Sequence, residues 1–403
     1  MNVKSIPNGT ITSPNGFMAG ATYAGLKTAA NGVLDVGILH SDVPCTAAGL
    51  FTTNRVKAAP VVLCQRHLEN GRAQVVVVNS GCANACTGEQ GLEDAAEMAR
   101  LAAAKLGVSP EDVLVASTGV IGVRLPMDKI RRGIMDIALS AHSGHELANT
   151  IVTTDTFTKE IALSIEFVGS KIAIAGIAKG AGMIHPNMAT LLCFLTTDAA
   201  VNAPFLHTAL QRAVDASFNM ISIDGDTSTN DTVILLANGL AGNEPLEEGT
   251  AEAQAFQAGL QEVCTYLAKC VASDGEGATK LIEVTVEGAR SLADARIAAR
   301  TVAGSPLVKA AVHGSDPNWG RIMAALGRSG AEVVESKIDV GLDDLHLMRA
   351  GRPQPFDTEK AKAILSKKEV PIQIHLNLGE AKATAWGCDL SEEYVTINSA
   401  YTT

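Results

Sequence analysis

The run Lys179-Gly-Ala-Gly-Met-Ile-His-Pro-Asn-Met-Ala-Thr190 sets a threonine between a glycine- and proline-bearing loop and the apolar stretch Leu191-Leu192-Cys193-Phe194-Leu195. That arrangement suits a self-cleaving nucleophile. A strained loop brings the Thr190 hydroxyl onto the Ala189 carbonyl, and scission of Ala189–Thr190 frees an α-amine that serves as base for the same hydroxyl. The residues equally suit a plain loop feeding a core strand, because threonine favours strands. Ser117-Thr118-Gly119, after the apolar Val113-Leu114-Val115, offers a hydroxyl and a backbone N–H at a turn. Those are the donors an oxyanion needs, or simply a turn. Lys179 offers a cation, with Gly176 and Gly180 nearby to permit close backbone approach. Glu276, in Asp274-Gly-Glu-Gly277, offers a carboxylate or reads as a solvated loop acid.

Other chemistries find less support. The loop Asp224-Gly-Asp-Thr-Ser-Thr-Asn-Asp231 is acidic, but its sixth position is Thr229 where a calcium loop needs glycine, and its twelfth is Leu235 where it needs glutamate. It reads as a turn held by side-chain–backbone hydrogen bonds. Cys82 and Cys86 form a lone C-x3-C pair, and His142 and His145 lack an H-E-x-x-H frame, so no metal is expected at either. Lys179 precedes its glycines, the reverse of a phosphate loop. His185 reads as a packing residue, since the new α-amine already fills the role of base.

The elements that must hold these residues come from a chain of 403 residues, 47% hydrophobic but only 4% aromatic, so a large core has to be built from Ala, Val, Ile and Leu. A net charge of −11 without a long basic run argues against nucleic acid as a partner. No apolar run reaches the roughly 18 residues of a membrane span, and the N-terminus lacks a secretory core, so the expected compartment is the cytoplasm, with reduced thiols. Strands are expected at Val33–Leu39, Val61–Leu63, Gln74–Val78, Val113–Val115, Leu191–Thr196 and Thr232–Ala237, with a hairpin of Glu160–Phe167 and Lys171–Ile177 entering the candidate cleavage loop. Helices are expected at Leu92–Leu106, Met127–Ser140, Pro204–Asn219 and Ala251–Ala272. After about residue 285 the pattern restarts, with helices Leu292–Val302 and Pro306–His313 and strands near Glu332–Leu342, Pro371–Leu376 and Lys382–Trp386. The irregular alternation points to a layered α+β fold with mixed sheets and a smaller C-terminal α/β lobe. The expected domains are 1–285 and 286–403.

Several motifs stand in one order along the chain: Gly49-Leu-Phe-Thr-Thr-Asn54, Asn79-Ser-Gly-Cys-Ala-Asn-Ala85, Ser117-Thr-Gly-Val-Ile-Gly122, the Lys179–Thr190 run, Ser222–Asp231, Asp274–Lys280, Asp316-Pro-Asn-Trp-Gly-Arg321 and Tyr394–Thr403. In these the chain resembles the ornithine acetyltransferases, also called glutamate N-acetyltransferases, of arginine biosynthesis. The resemblance implies a layered αββα core with N-terminal-nucleophile chemistry, and self-cleavage into fragments 1–189 and 190–403, two copies of each. It implies Thr190 as nucleophile, Thr118 and Gly119 as the oxyanion hole, and Thr153, Lys179, Thr190, Glu276, Asn398 and Thr403 as substrate contacts. The implied reaction moves acetyl from N-acetylornithine to glutamate through an acetyl-Thr190 ester, with no cofactor and with acetyl-CoA open as a further donor. The competing reading is an amidase or aminopeptidase of related fold, in which water takes the acyl group.

Overall fold

The computed structural model describes residues 2–27, 32–167, 170–185 and 191–400. Strands β1 (Asn2–Ser5), β2 (Phe17–Thr22) and β3 (Val36–Phe51) precede helix α1 (Ala59–His67) and strand β4 (Arg72–Cys82). Helix α2 (Gly88–Leu106), strand β5 (Val113–Val120) and helices α3 (Met127–Asp136) and α4 (Gly144–Ile151) follow. The expected hairpin is β6 (Lys159–Phe167) and β7 (Ser170–Lys179); then come β8 (Leu192–Thr197), α5 (Ala203–Asp215), β9 (Ile221–Ser222), β10 (Thr232–Ala237) and α6 (Ala251–Ser273). The last part holds β11 (Leu281–Ala289), α7 (Leu292–Ala303), α8 (Pro306–His313), α9 (Trp319–Gly327) and β12 (Asp339–Leu342). It ends with β13 (Leu345–Arg349), β14 (Arg352–Pro353), α10 (Thr358–Leu365), β15 (Glu369–His375), β16 (Ala381–Cys388) and α11 (Glu392–Ala400).

Two expected strands differ. Val61–Leu63 lies inside α1, where Pro60 in the first turn presets a helical φ and its missing N–H costs nothing. Of the expected strand Glu332–Leu342 only Asp339–Leu342 forms, because burial begins at Ile338 while Val334 through Lys337 are exposed and Glu335–Lys337 turns as a 3-10 segment.

Nine strands of the described residues form one sheet in the order β1-β6-β7-β8-β10-β3-β4-β5, with β2 on β3. The long β3 bends where its register against β4 shifts between His40 and Cys45, and this folds the sheet over on itself. Alternation along each strand then serves two faces. Val76 and Val78 of β4 and Leu114 of β5 meet Phe194 of β8 and Ile234 and Leu236 of β10 in a core between the two halves. The residues between them, Val75, Val77, Val113 and Val115, face Met98 and Ala102 of α2 and Ile130 and Ile134 of α3. On the outer face of the other half, Ile172, Ile174, Cys193 and Leu195 pack on α5 and α6 through Phe205, Leu206, Phe256 and Leu260. The layers are therefore helix, sheet, sheet, helix. Close packing needs Gly176 in β7, since a Cβ there would lie 2.6 Å from Leu195 Cδ2 and 2.9 Å from Leu267 Cδ1 of α6.

The second sheet runs β14-β13-β12-β15-β11-β16-β9. Helix α6 packs against both sheets and α7 covers β11 and β16. One apolar core runs without a break from α5 through α6 to Trp386. Residue 285 falls within β11, and β9 joins this sheet by pairing in parallel with β16.

Candidate active site

Strands β4 and β5 run parallel, and where they end the pairing slips so that Cys82 faces both Thr118 and Val120. Gly119 has φ +126, and a Cβ on it would lie 2.4 Å from the Gly81 carbonyl carbon, so only glycine fits. Asn230 ties the two turns together, its Nδ2 donating to Ala83 O at 2.6 Å and Ser117 O at 2.8 Å. Thr118 is held beside Lys179, whose Nζ donates to Thr118 Oγ1 at 3.3 Å. These residues open on a cleft of about 1020 Å³, also lined by Thr153, Glu276 and Asn398.

A buried charge network positions the cleft walls. Lys159 Nζ donates to Asp155 Oδ1 at 2.6 Å and to Asp274 Oδ2 at 2.5 Å, with the lysine and both carboxylates sealed from solvent. Asp155 also accepts from the Gly180 N–H at 2.6 Å and the Thr153 N–H at 3.1 Å. Asp274 accepts from the Thr156 N–H and hydroxyl. One network thus fixes the end of β7, the segment at Thr153 and the turn that carries Glu276. Burial alone would raise the Asp155 carboxyl, but the charges of Lys179 and Lys159 hold it below its ordinary value. Burial lowers the Lys179 amine, against the pull of Asp155, Asp231 and Glu276. Asp231 is buried, burial pushes its carboxyl well above the carboxylate range, and its Oδ2 has no hydrogen-bond partner among the described residues.

Glu276 is 8% exposed and forms no ion pair among the described residues. Its Oε2 accepts from Asn398 Nδ2 of α11 at 2.8 Å. Gly182 makes room for it, since a Cβ there would stand 2.7 Å from Glu276 Oε2. Ser391 Oγ donates to Gly277 O at 2.6 Å and fastens the start of the tail to the same turn. The C-terminal helix therefore lies at the cleft.

The 224–231 loop is a clamp for the segment that leads to the candidate scissile bond. Asp224 accepts from the backbone N–H of Met183 at 2.6 Å, Ile184 at 2.9 Å and Asp226 at 3.1 Å. Thr227 Oγ1 donates to His185 O at 2.8 Å, and His185 Nδ1 lies 2.9 Å from Ser222 Oγ. Burial, aided by the Arg300 charge, brings His185 down to about 4, so at neutral pH it packs as an uncharged ring. On the other side Leu191 O accepts the Thr232 N–H at 2.8 Å, and Leu192 pairs with both Lys179 and Thr232.

Of the residues expected at the site, Thr118, Gly119, Thr153, Lys179, Glu276 and Asn398 share the cleft. Ala189, Thr190 and Thr403 lie outside the described residues. Sequence reasoning missed Asp155, Lys159, Asp231, Asn230 and Lys27. Their types are common, and only the long-range pairing of strands brings them together. Among the described residues no three His, Cys, Asp or Glu side chains gather as a metal site needs, and no helix is long and apolar enough to cross a membrane.

Known proteins carry this sequence pattern. The model of the ArgJ family matches residues 18–403. The arginine biosynthesis bifunctional protein ArgJ of Dehalococcoides mccartyi (strain CBDB1) is 54% identical over 402 residues, covering 100% of this chain and 99% of that one. Its namesake in Symbiobacterium thermophilum is 57% identical over 397 residues, covering 98% of this chain and 99% of that one. The solved structure of arginine biosynthesis bifunctional protein argJ from Bacillus halodurans is similar with a TM-score of 0.50 and 44% identity, over 51% of this chain and 97% of that chain. With a family match over nearly the whole length and relatives identical at more than half of the aligned positions, the chain belongs to the ArgJ family.

Proposed function

We propose that this protein transfers acetyl from N-acetylornithine to glutamate through an acetyl-Thr190 ester, after cutting itself at Ala189–Thr190. The observation that carries the reading is one cleft where a Thr118–Gly119 turn meets Lys179 and Glu276, neither of which forms an ion pair among the described residues. A substrate with an amide, a carboxylate and an ammonium fits those three features in turn. The similarity to the Bacillus halodurans ArgJ supports the cut as well: 97% of that solved chain corresponds to 51% of this one, the size relation of a fragment from a chain cut near its middle.

In processing, the Thr190 hydroxyl attacks the Ala189 carbonyl, the peptide becomes an ester as the amine leaves, and water releases the Ala189 carboxylate. In turnover, the freed α-amine takes the hydroxyl proton as Thr190 Oγ attacks the acetyl carbonyl. The Thr118 hydroxyl and the Gly119 N–H donate to the oxyanion. Collapse returns the proton to the departing ornithine amine and leaves acetyl-Thr190. The glutamate amine then attacks the ester, yields its proton to the Thr190 oxygen through the α-amine, and departs as N-acetylglutamate. One amide replaces another of similar free energy, so the exchange needs no ATP. On this reading residues 1–285 form the catalytic core and 286–403 the smaller lobe, joined through β11, and the fragments 1–189 and 190–403 assemble two and two in the cytoplasm. Thr153, Asn398 and Thr403 complete the substrate contacts.

The test is N-terminal sequencing and a donor panel. The wild-type protein should yield a fragment beginning at Thr190 and pass acetyl to glutamate, whereas Thr190→Ala should stay whole and inactive. An intact, fully active wild-type chain would sink the mechanism, and acetate release in place of N-acetylglutamate would assign the amidase reaction. Acetyl-CoA in the same panel decides whether it is a second donor.

A further inference from the structure

The cleft holds more cationic side chains than the acetyl donor can use, although Asp224, Asp226 and Glu276 also line it. Three cationic side chains line it, Lys27, Arg124 and Lys179, and none forms an ion pair among the described residues. N-acetylornithine brings one carboxylate and one ammonium, which Lys179 and Glu276 match. Glutamate brings two carboxylates. Its second carboxylate has no partner unless another of these cations supplies it.

Lys27 is built for that part. Its Nζ donates to Leu34 O at 2.9 Å and Thr150 O at 3.1 Å, which fixes the ammonium and leaves one of its three N–H groups for a ligand. The nearest carboxylate in sequence, Asp35, is already occupied by the backbone N–H groups of Ala24 at 2.7 Å, Leu26 at 2.5 Å and Lys27 itself at 3.3 Å. Lys27 is half-buried, so its field in the cleft is less screened than that of the exposed Arg124. Burial, and more weakly the charge of Lys179, bring its amine down to about 8 despite Asp35. An anion bound at Lys27 relieves both costs.

We propose that Lys27 binds the second carboxylate of the dicarboxylic acceptor and so selects glutamate, while leaving the donor step alone. This rests on the acetyl-transfer reading and assigns a residue that determines acceptor choice. In a ping-pong reaction kcat/KM for each substrate reports only its own half, so the two effects separate. Lys27→Gln keeps donors for the Leu34 and Thr150 carbonyls but removes the charge. It should lower kcat/KM for glutamate by about 10-fold or more, the scale of one charge-assisted hydrogen bond. It should leave kcat/KM for N-acetylornithine within about twofold. The preference for glutamate over glutamine, whose side chain is neutral, should collapse toward one, and Lys27→Arg should restore most of it. Equal losses in both halves, or an unchanged preference for glutamate over glutamine, would overturn the assignment. So would a collapse seen in Arg124→Gln and not in Lys27→Gln. A wild-type protein that releases no ornithine from N-acetylornithine would fell the transfer reading and Lys27's part with it. That result is distinct from a working transferase whose acceptor choice ignores Lys27.

Discussion

Because the Lys179 ammonium donates to Thr118 Oγ1, that oxygen is an acceptor on one side and its own proton is free to point into the cleft. Lys179 thus orients the hydroxyl as well as supplying charge. Thr118→Val should lower kcat by roughly 100-fold or more with little change in KM, the usual result of losing one oxyanion donor. Thr118→Ser, which keeps the hydroxyl, should retain most of the rate. Single-turnover measurement of ornithine release checks both, and a Val variant with undiminished kcat would reduce the residue to a turn former. At this scale the sequence was legible as to which residues line the cleft wherever those residues stand in local motifs that the resemblance picks out. Thr118-Gly119, Lys179 and Glu276 stand in such motifs. Asp155 and Lys159 do not. An i,i+4 pair of opposite charge reads as a solvated surface pair, and nothing nearby in the chain tells that Asp274 closes over it to make a sealed network.

Among the elements, α11 illustrates a division of labour between stability and function. None of its residues is buried, yet it carries Asn398 to Glu276. Deleting residues 392–403 should shift the melting temperature by no more than a few degrees, since little apolar surface is lost. The same deletion should cut kcat/KM for N-acetylornithine at least 10-fold, about what one hydrogen bond to a charged group contributes. A melting curve beside donor kinetics decides it, and unimpaired kinetics would remove the tail from the site. Strongly periodic elements such as α2 and α6, and the hairpin β6–β7, were readable from their apolar spacing. The helix α1 was not, because three apolar residues in a row have no period and Pro60 was the only local sign. The folding of the first sheet upon itself was invisible for a different reason. It depends on one register shift in β3, set by pairing with a strand some thirty residues away.

For the whole molecule, the proposed cut falls in the connection between β7 and β8, which are hydrogen-bonded neighbours from Ile174↔Thr197 to Lys179↔Leu192. Neither fragment owns the whole of the first sheet. Fragment 1–189 contributes β1 to β7, while β8 and β10 of the other fragment sit between β7 and β3 in the same sheet. Before the cut, those strands meet within one chain. Afterwards they can meet again only by collision of two chains, each with a long apolar strand edge open to wrong partners. Thr190→Ala, uncut, should therefore refold from denaturant at a rate independent of protein concentration. The processed protein should refold with a concentration-dependent rate and poor yield. Comparing the two over a tenfold dilution measures this, and identical refolding would mean that the fragments do not share the sheet.

If the proposed cut is made, the β7–β8 pairing gives the enzyme a history. Its native arrangement would be reached easily once, along a route that the cut then closes. What would keep it folded afterwards is the slowness of coming apart more than the ease of coming together. A cell holding such a protein would renew it by synthesis and not by rescue of the unfolded form.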